Sequence, residues 1–135
     1  MKRRIITVEY DGEKKEVEIE NDTLVVPEGV KSIYCDNNKL KILELPEGVE
    51  ELCCSNNQLT SLKLPSTMKW FYCYDNKLTS LDIPEGVGLT DCRSNQLKKV
   101  KLPDSIQVLH CWNNQLKSLE FPSGLQWVAS DDFVG

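Results

Sequence analysis

The sequence predicts a solenoid of short stacked repeats. About six short parallel strands form its concave face, its convex side is turns and extended chain, and a β-hairpin closes the N-terminal end. Three observations carry this expectation. The six prolines, Pro27, Pro46, Pro65, Pro84, Pro103 and Pro122, follow one another at intervals of 19 residues, so the chain is a repeat array before it is anything else. Counted from each proline, position 9 holds five of the six cysteines: Cys35, Cys54, Cys73, Cys92 and Cys111. Position 12 is Asn and position 14 is Leu in all five complete units, from Asn38 and Leu40 to Asn114 and Leu116.

Composition sets the outer bounds. A chain of 135 residues is one domain's worth. Its net charge of -5 argues against a general nucleic-acid binder, which carries a basic stripe. No apolar run approaches the ~20 residues of a membrane helix. The basic start Met1-Lys2-Arg3-Arg4 is followed only by Ile5 to Val8, too short for the apolar segment of a signal peptide.

The elements follow in chain order. Residues 4 to 20 read as a hairpin, Ile5 to Tyr10 and then Val17-Glu18-Ile19, around Asp11-Gly12. Asp-Gly is a strong turn signal, although Glu13-Lys14-Lys15 suggests a loop longer than two residues. Leu24 and Val26 match positions 17 and 19 of an incomplete first unit. The expected division is residues 1–26 as N-terminal cap and 27–135 as the solenoid, with five full units and one partial unit.

Within a unit, positions 6 to 10 alternate as a strand does, with 7 and 9 inward. Successive strands then pair in parallel about 4.8 Å apart. Nineteen residues leave no room for a full helix on the way back, and proline at position 1 favours an extended return. The aliphatic columns supply the core, at ~1.5–3 kcal/mol per fully buried side chain. The Asn column has a structural role: a buried amide bonds backbone groups of its own and the next unit. At the far end, Phe133 is placed as an apolar plug, and Asp131 and Asp132 as charges that discourage edge pairing.

The unit matches L-x-x-L-x-L-x-x-N-x-L-x-x-L from position 4 to position 17. In the second unit the motif residues are Val49, Leu52, Cys54, Asn57, Leu59 and Leu62. Over about residues 24 to 133 the chain resembles the leucine-rich-repeat family. It looks most like the compact repeats of bacterial effector proteins and some viral proteins, whose units are usually slightly longer. The resemblance implies a solenoid whose outward strand residues form a concave binding face. Related effectors often carry a catalytic domain beyond the repeats. A chain of this length has no room for one, which leaves inhibition, sequestration or scaffolding.

Six cysteines in a short chain would suit a disulfide framework. Their place in one inward column argues instead for small buried hydrophobes. Parallel side chains suit neither a bridge nor a four-ligand metal site. A reducing compartment follows, so the expected location is cytoplasmic, in a bacterium or in a host cell. Cys53, at outward position 8, is the exception.

The outward positions can be read off directly. Position 6 gives Ser32, Glu51, Trp70, Leu89, Val108 and Trp127. Position 8 gives Tyr34, Cys53, Tyr72, Asp91, His110 and Ala129. Position 10 gives Asp36, Ser55, Tyr74, Arg93, Trp112 and Asp131. Six of the chain's seven Trp and Tyr residues fall here, together with its one His. Aromatic residues also suit exposed strands and stack in columns, so a stabilising ladder is the competing explanation. Trp70, Tyr72 and Tyr74 share one expected strand, however, and Arg93 lies between Tyr74 and Trp112, within cation–π reach of both. Trp, Tyr and Arg are the residues that dominate interface energetics.

Catalysis fits poorly. Asp91 and His110 sit on adjacent strands and could pair, but Cys53 lies three strands from His110, about 14 Å at the strand spacing. No catalytic residue, metal ligand or cofactor is expected. Lys98, Lys99, Lys101 and Lys117 on the return path read as a solvated face, useful if the ligand is phosphorylated.

The sequence therefore points to a non-enzymatic module that binds a protein partner, as an inhibitor or adaptor. Its site would be Trp70, Tyr72, Tyr74, Asp91, Arg93, His110 and Trp112, with Tyr34 and Trp127 further out. The alternative is a small-molecule or nucleotide sponge using the same rings and Arg93. Neither DNA nor a membrane is an expected partner. The chain is expected to be a monomer, with pairing of the last strand to a second copy as the weaker alternative.

Overall fold

The computed structural model describes residues 4–130. The hairpin is β1 (Ile5–Tyr10) and β2 (Glu13–Glu18), antiparallel. The expected longer loop is wrong: only Asp11 and Gly12 make the turn, with φ of 50° and 77°. Both accept positive φ, which matches the twist of the paired strands. Glu13, Lys14 and Lys15 therefore stay in the ladder, opposite Tyr10, Glu9 and Val8. They are exposed, so charge costs nothing there, and the Lys15 ammonium sits 4.5 Å from the Tyr10 ring centre. On its inner face the hairpin buries Ile6 and Val8. Tyr10 lies so close over Gly29 that any β-carbon there would collide with its ring.

Six strands of three residues form one parallel sheet. They are β4 (Ser32–Tyr34), β6 (Glu51–Cys53), β7 (Trp70–Tyr72), β9 (Leu89–Asp91), β11 (Val108–His110) and β12 (Trp127–Ala129). Each pairs with the next at an offset of one repeat, so Tyr34, Cys53, Tyr72, Asp91, His110 and Ala129 lie in one row. The strands are shorter than the alternation suggests, ending at position 8 rather than 10. The chain bends because position 11 takes a left-handed conformation in every complete unit: Asn37, Asn56, Asp75, Ser94 and Asn113 have φ between 54° and 61°. Asn and Asp tolerate that region better than other residues with side chains. Ladder bonds continue past the strand ends up to the bend, as in Cys54 N–H to Tyr72 O at 2.8 Å and Asn56 N–H to Tyr74 O at 2.9 Å.

The convex side has no helix among the described residues. It carries two short parallel pairs, β3 (Thr23–Val25) with β5 (Ile42–Glu44) and β8 (Ser80–Asp82) with β10 (Lys99–Lys101). The expected extended return is thus partly a second ladder. Residues 61–63 of the second unit run between these pairs without joining either. Lys99 and Lys101 are exposed on β10. The pairing of β3 with β5 makes residues 23–25 the return path of an incomplete first unit.

The core runs the length of the stack. Val30, Val49, Met68, Val87 and Ile106 are buried at position 4, and Leu40, Leu59, Leu78 and Leu97 at position 14. Position 7 is buried in units one to five, with Phe71 and Thr90 directly paired across neighbouring strands, so a large residue meets a small one. Burial weakens at the C-terminal end, where Leu116, Leu119, Leu125 and Val128 are only half-buried. The expected plug Phe133 and the charges Asp131 and Asp132 lie outside the described residues.

The Asn column ties units together, but towards the preceding unit and not the next one. Asn57 donates to Cys35 O (3.1 Å) in the unit before and to Cys54 O (2.9 Å) in its own. Its Oδ1 accepts from the backbone N–H of Asn38 and of Leu40 (3.0 and 2.9 Å). Asn76 and Asn95 make the same two donations, and each accepts from one N–H of the preceding unit, that of Leu59 and of Leu78. The direction follows from position: the Asn sits past the bend, where the preceding unit's turn exposes the backbone N–H of its position-14 leucine. A second clasp lies at position 3. There Thr67 accepts from Gly48 N–H (2.9 Å) and donates to Val49 O (2.8 Å), and Ser105 does the same with Gly86 and Val87.

Candidate functional site

The concave face is formed by the three columns expected from the sequence, held in register by the ladder, except that Ser55 and Asp91, expected outward, are buried. Trp70 and Tyr72 project from β7 with ring centres 5.4 Å apart and planes inclined by 41°. Tyr74 is not on that strand, because β7 ends at Tyr72. It leaves the bend beside the fourth unit, where it meets Arg93. The Arg93 guanidinium carbon lies 4.5 Å from the Tyr74 ring centre and 5.2 Å from that of Trp112. One cation is thus held between two rings from the neighbouring units.

Asp91 sits under this group. Its side chain is only 12% exposed, its Oδ2 is 3.4 Å from Arg93 Nε, and its Oδ1 accepts from the Arg93 backbone N–H at 3.3 Å. Although His110 is paired with Asp91 in the sheet, the carboxylate turns to Arg93. Asp91 therefore fixes the arginine rather than serving a histidine. Tyr34 and Trp127, towards the two ends of the sheet, are 60% and 58% exposed, against 37% for Trp112. Trp70, Tyr72 and Tyr74 are half-buried.

No protein-family model matches the chain, and no curated protein matches it. Among solved structures it is similar to the leucine-rich-repeat domain of a Shigella effector, with 32% sequence identity and a TM-score of 0.69. The match covers 73% of this chain and 47% of the other, so this chain spans about half the length of that structure. The chain is a leucine-rich-repeat protein. It is of the bacterial-effector-like kind, and its fold is one commonly used to bind proteins.

Within this leucine-rich-repeat solenoid the cysteines are all free thiols. Burial, reinforced by Asp36 and Cys53, pushes Cys35 up to about 12. Burial, with the neighbouring thiols, holds Cys54 and Cys73 well above the ordinary value. Cys53 is half-buried between the Tyr34 and Tyr72 positions and is raised to about 11, by burial first and then by Asp36 and Glu51. A thiol so protonated is a poor nucleophile at neutral pH.

Two features of the repeat went unread in the sequence. The Asn/Asp/Ser column at position 11 is visible in the alignment of units and signals the bend that releases Tyr74, Arg93 and Trp112 from their strands. The near-burial of Asp91 had no sequence signal, since an outward aspartate ordinarily meets solvent. A cleft of about 660 Å³ lies elsewhere, on the return side, lined by Leu62, Leu64, Ile83, Leu102 and the charged Lys63 and Asp82.

Proposed function

We propose that this chain is a non-enzymatic recognition module that binds a protein partner through its concave face, acting as an inhibitor or adaptor. The observation that carries the reading is a pair of aromatic groups on one open surface, the Trp70–Tyr72 ring pair and the Tyr74–Arg93–Trp112 cation–π stack. His110 borders this centre, Asp91 holds its arginine, and Tyr34 and Trp127 extend it towards both ends. If six rings bury ~100 Å² each, they supply ~600 Å² of the ~800 Å² that one partner contributes to a standard interface. Trp and Tyr bury this area with few rotatable bonds to immobilise.

The open sheet suits a protein better than a small ligand, which prefers an enclosed pocket. The ring–Arg93–ring stack does favour one rival, a nucleotide held by base stacking and a phosphate contact. Calorimetry against a nucleotide panel tests it, and a clear heat with one nucleotide would favour that rival. The column of protonated, free thiols supports a reducing, cytoplasmic setting. The main test is affinity capture with mass spectrometry. A Trp70→Ala/Tyr72→Ala/Trp112→Ala variant should keep its circular dichroism and lose the partner. Unchanged capture would sink the proposal.

A further inference from the structure

The face is electrically uneven. Among the described outward positions, Arg93 is the one permanently charged cation, while Asp36, Glu51 and Asp91 are acidic. Asp36 and Glu51 lie in the first two units. Asp36 Oδ1 accepts from Ser55 N–H at 2.6 Å, and Glu51 Oε1 accepts from the Ser32 hydroxyl at 2.6 Å. The aromatic strand β7 separates this acidic end from Arg93.

Arg93 itself is held for use. Tyr74 and Trp112 flank its guanidinium, and Asp91 occupies the Nε side. The two terminal nitrogens make no hydrogen bond to a described residue, and the side chain keeps 35% of its surface open. A guanidinium with its faces covered can still act through its edge, which matches a carboxylate bidentately. Because it is already positioned, little further ordering is needed on binding.

We infer that the protein partner presents an aspartate or glutamate carboxylate to the outer edge of Arg93, between the rings of Tyr74 and Trp112. This rests on the concave-face reading of function and names the chemistry it selects. A monoanion fits better than a phosphate. Asp91 already neutralises much of the arginine, and Asp36 and Glu51 oppose a second negative charge on the same face.

A displayed library of random peptides tests this on the full chain. Wild type should enrich peptides with an acidic residue, and their binding should require Trp70 and Tyr72. In the best of these, replacing the acidic residue by its amide should weaken binding about 10- to 100-fold, the range for hydrogen bonds to charged groups. With Arg93→Gln, the same replacement should change affinity less than about twofold, since the partner of the carboxylate is gone. Arg93→Lys, which keeps the charge but not the fork, should recover only part of the preference. Thermal melts matching wild type confirm that both variants fold.

The inference is overturned if the acid-to-amide penalty persists in Arg93→Gln, or if enriched peptides carry no excess of acidic residues. A phosphoserine version binding more tightly than the glutamate version overturns the assignment to a carboxylate. If peptides bind through Trp70 and Tyr72 but ignore Arg93, only this inference falls. If wild type enriches nothing, the concave-face reading falls with it.

Discussion

Thr90→Val should make the protein more stable. Thr90 takes position 7 of the fourth unit, where the first, second and fifth units have Ile33, Leu52 and Leu109. It is fully buried, and its hydroxyl has no hydrogen-bond partner. Its sheet neighbours at this position are Phe71 and Leu109, so the hydroxyl faces hydrocarbon on both sides. Valine has almost the same shape and exchanges the hydroxyl for a methyl. A buried polar group left unpaired costs about 1–3 kcal/mol. The new methyl adds up to about 0.8 kcal/mol of burial. Some of the gain is lost to imperfect fit, so about 1–2 kcal/mol is expected. With a urea slope of about 1–3 kcal/mol per molar, the midpoint should rise by roughly 0.5–1 M at unchanged slope. Urea unfolding followed by circular dichroism measures this. An unchanged or lower midpoint would show that the hydroxyl is satisfied, and the account of this core position would be wrong.

Three further outcomes are expected. Asn57→Ala should cost at least about 2 kcal/mol more than Asn38→Ala in the same unfolding assay, because Asn57 bonds backbone groups of two units whereas Asn38 donates within its own unit; equal losses would contradict the inter-unit role. Ser94→Asn should stabilise by about 0.5 kcal/mol, since Ser94 has φ of 55° and asparagine accepts that region more readily; a loss in midpoint would count against the strain. The buried thiols make stability fall in alkali: with Cys35 raised from 9.0 to about 12, its contribution is whole below about pH 9 and is lost as pH rises towards 12. The urea midpoint should therefore drop between pH 8 and pH 10, and Cys73→Ala should flatten that drop; equal slopes with and without Cys73 would contradict it.

The repeat made the architecture legible. A comb of prolines fixes the unit, and alternation around Leu52 and Cys54 fixes which side is buried. Because each unit packs only on its neighbours, one unit read correctly is nearly the whole fold read correctly. What escaped was geometry finer than a period. The ends of the strands depend on the conformation of position 11, and the tight Asp11-Gly12 turn outweighed the polar run after it. The direction of the Asn bonds depends on which unit's N–H groups lie exposed beside the amide. At the site, the columns placed Arg93 between Tyr74 and Trp112 directly, because column neighbours in a parallel ladder are spatial neighbours. The turn of Asp91 away from His110 depends on side-chain packing, which no periodicity records.

The proposed function puts the partner on the ring-bearing concave surface. Hydroxyl-radical footprinting of the free chain and of its captured complex tests it most directly, because Trp, Tyr and Phe report their own exposure. Trp70, Tyr72 and Trp112 should become protected in the complex, while Phe121, 46% exposed in the last complete unit at position 19, keeps its reactivity. Protection at Phe121 with no change at the three concave rings would place the partner elsewhere and contradict the account.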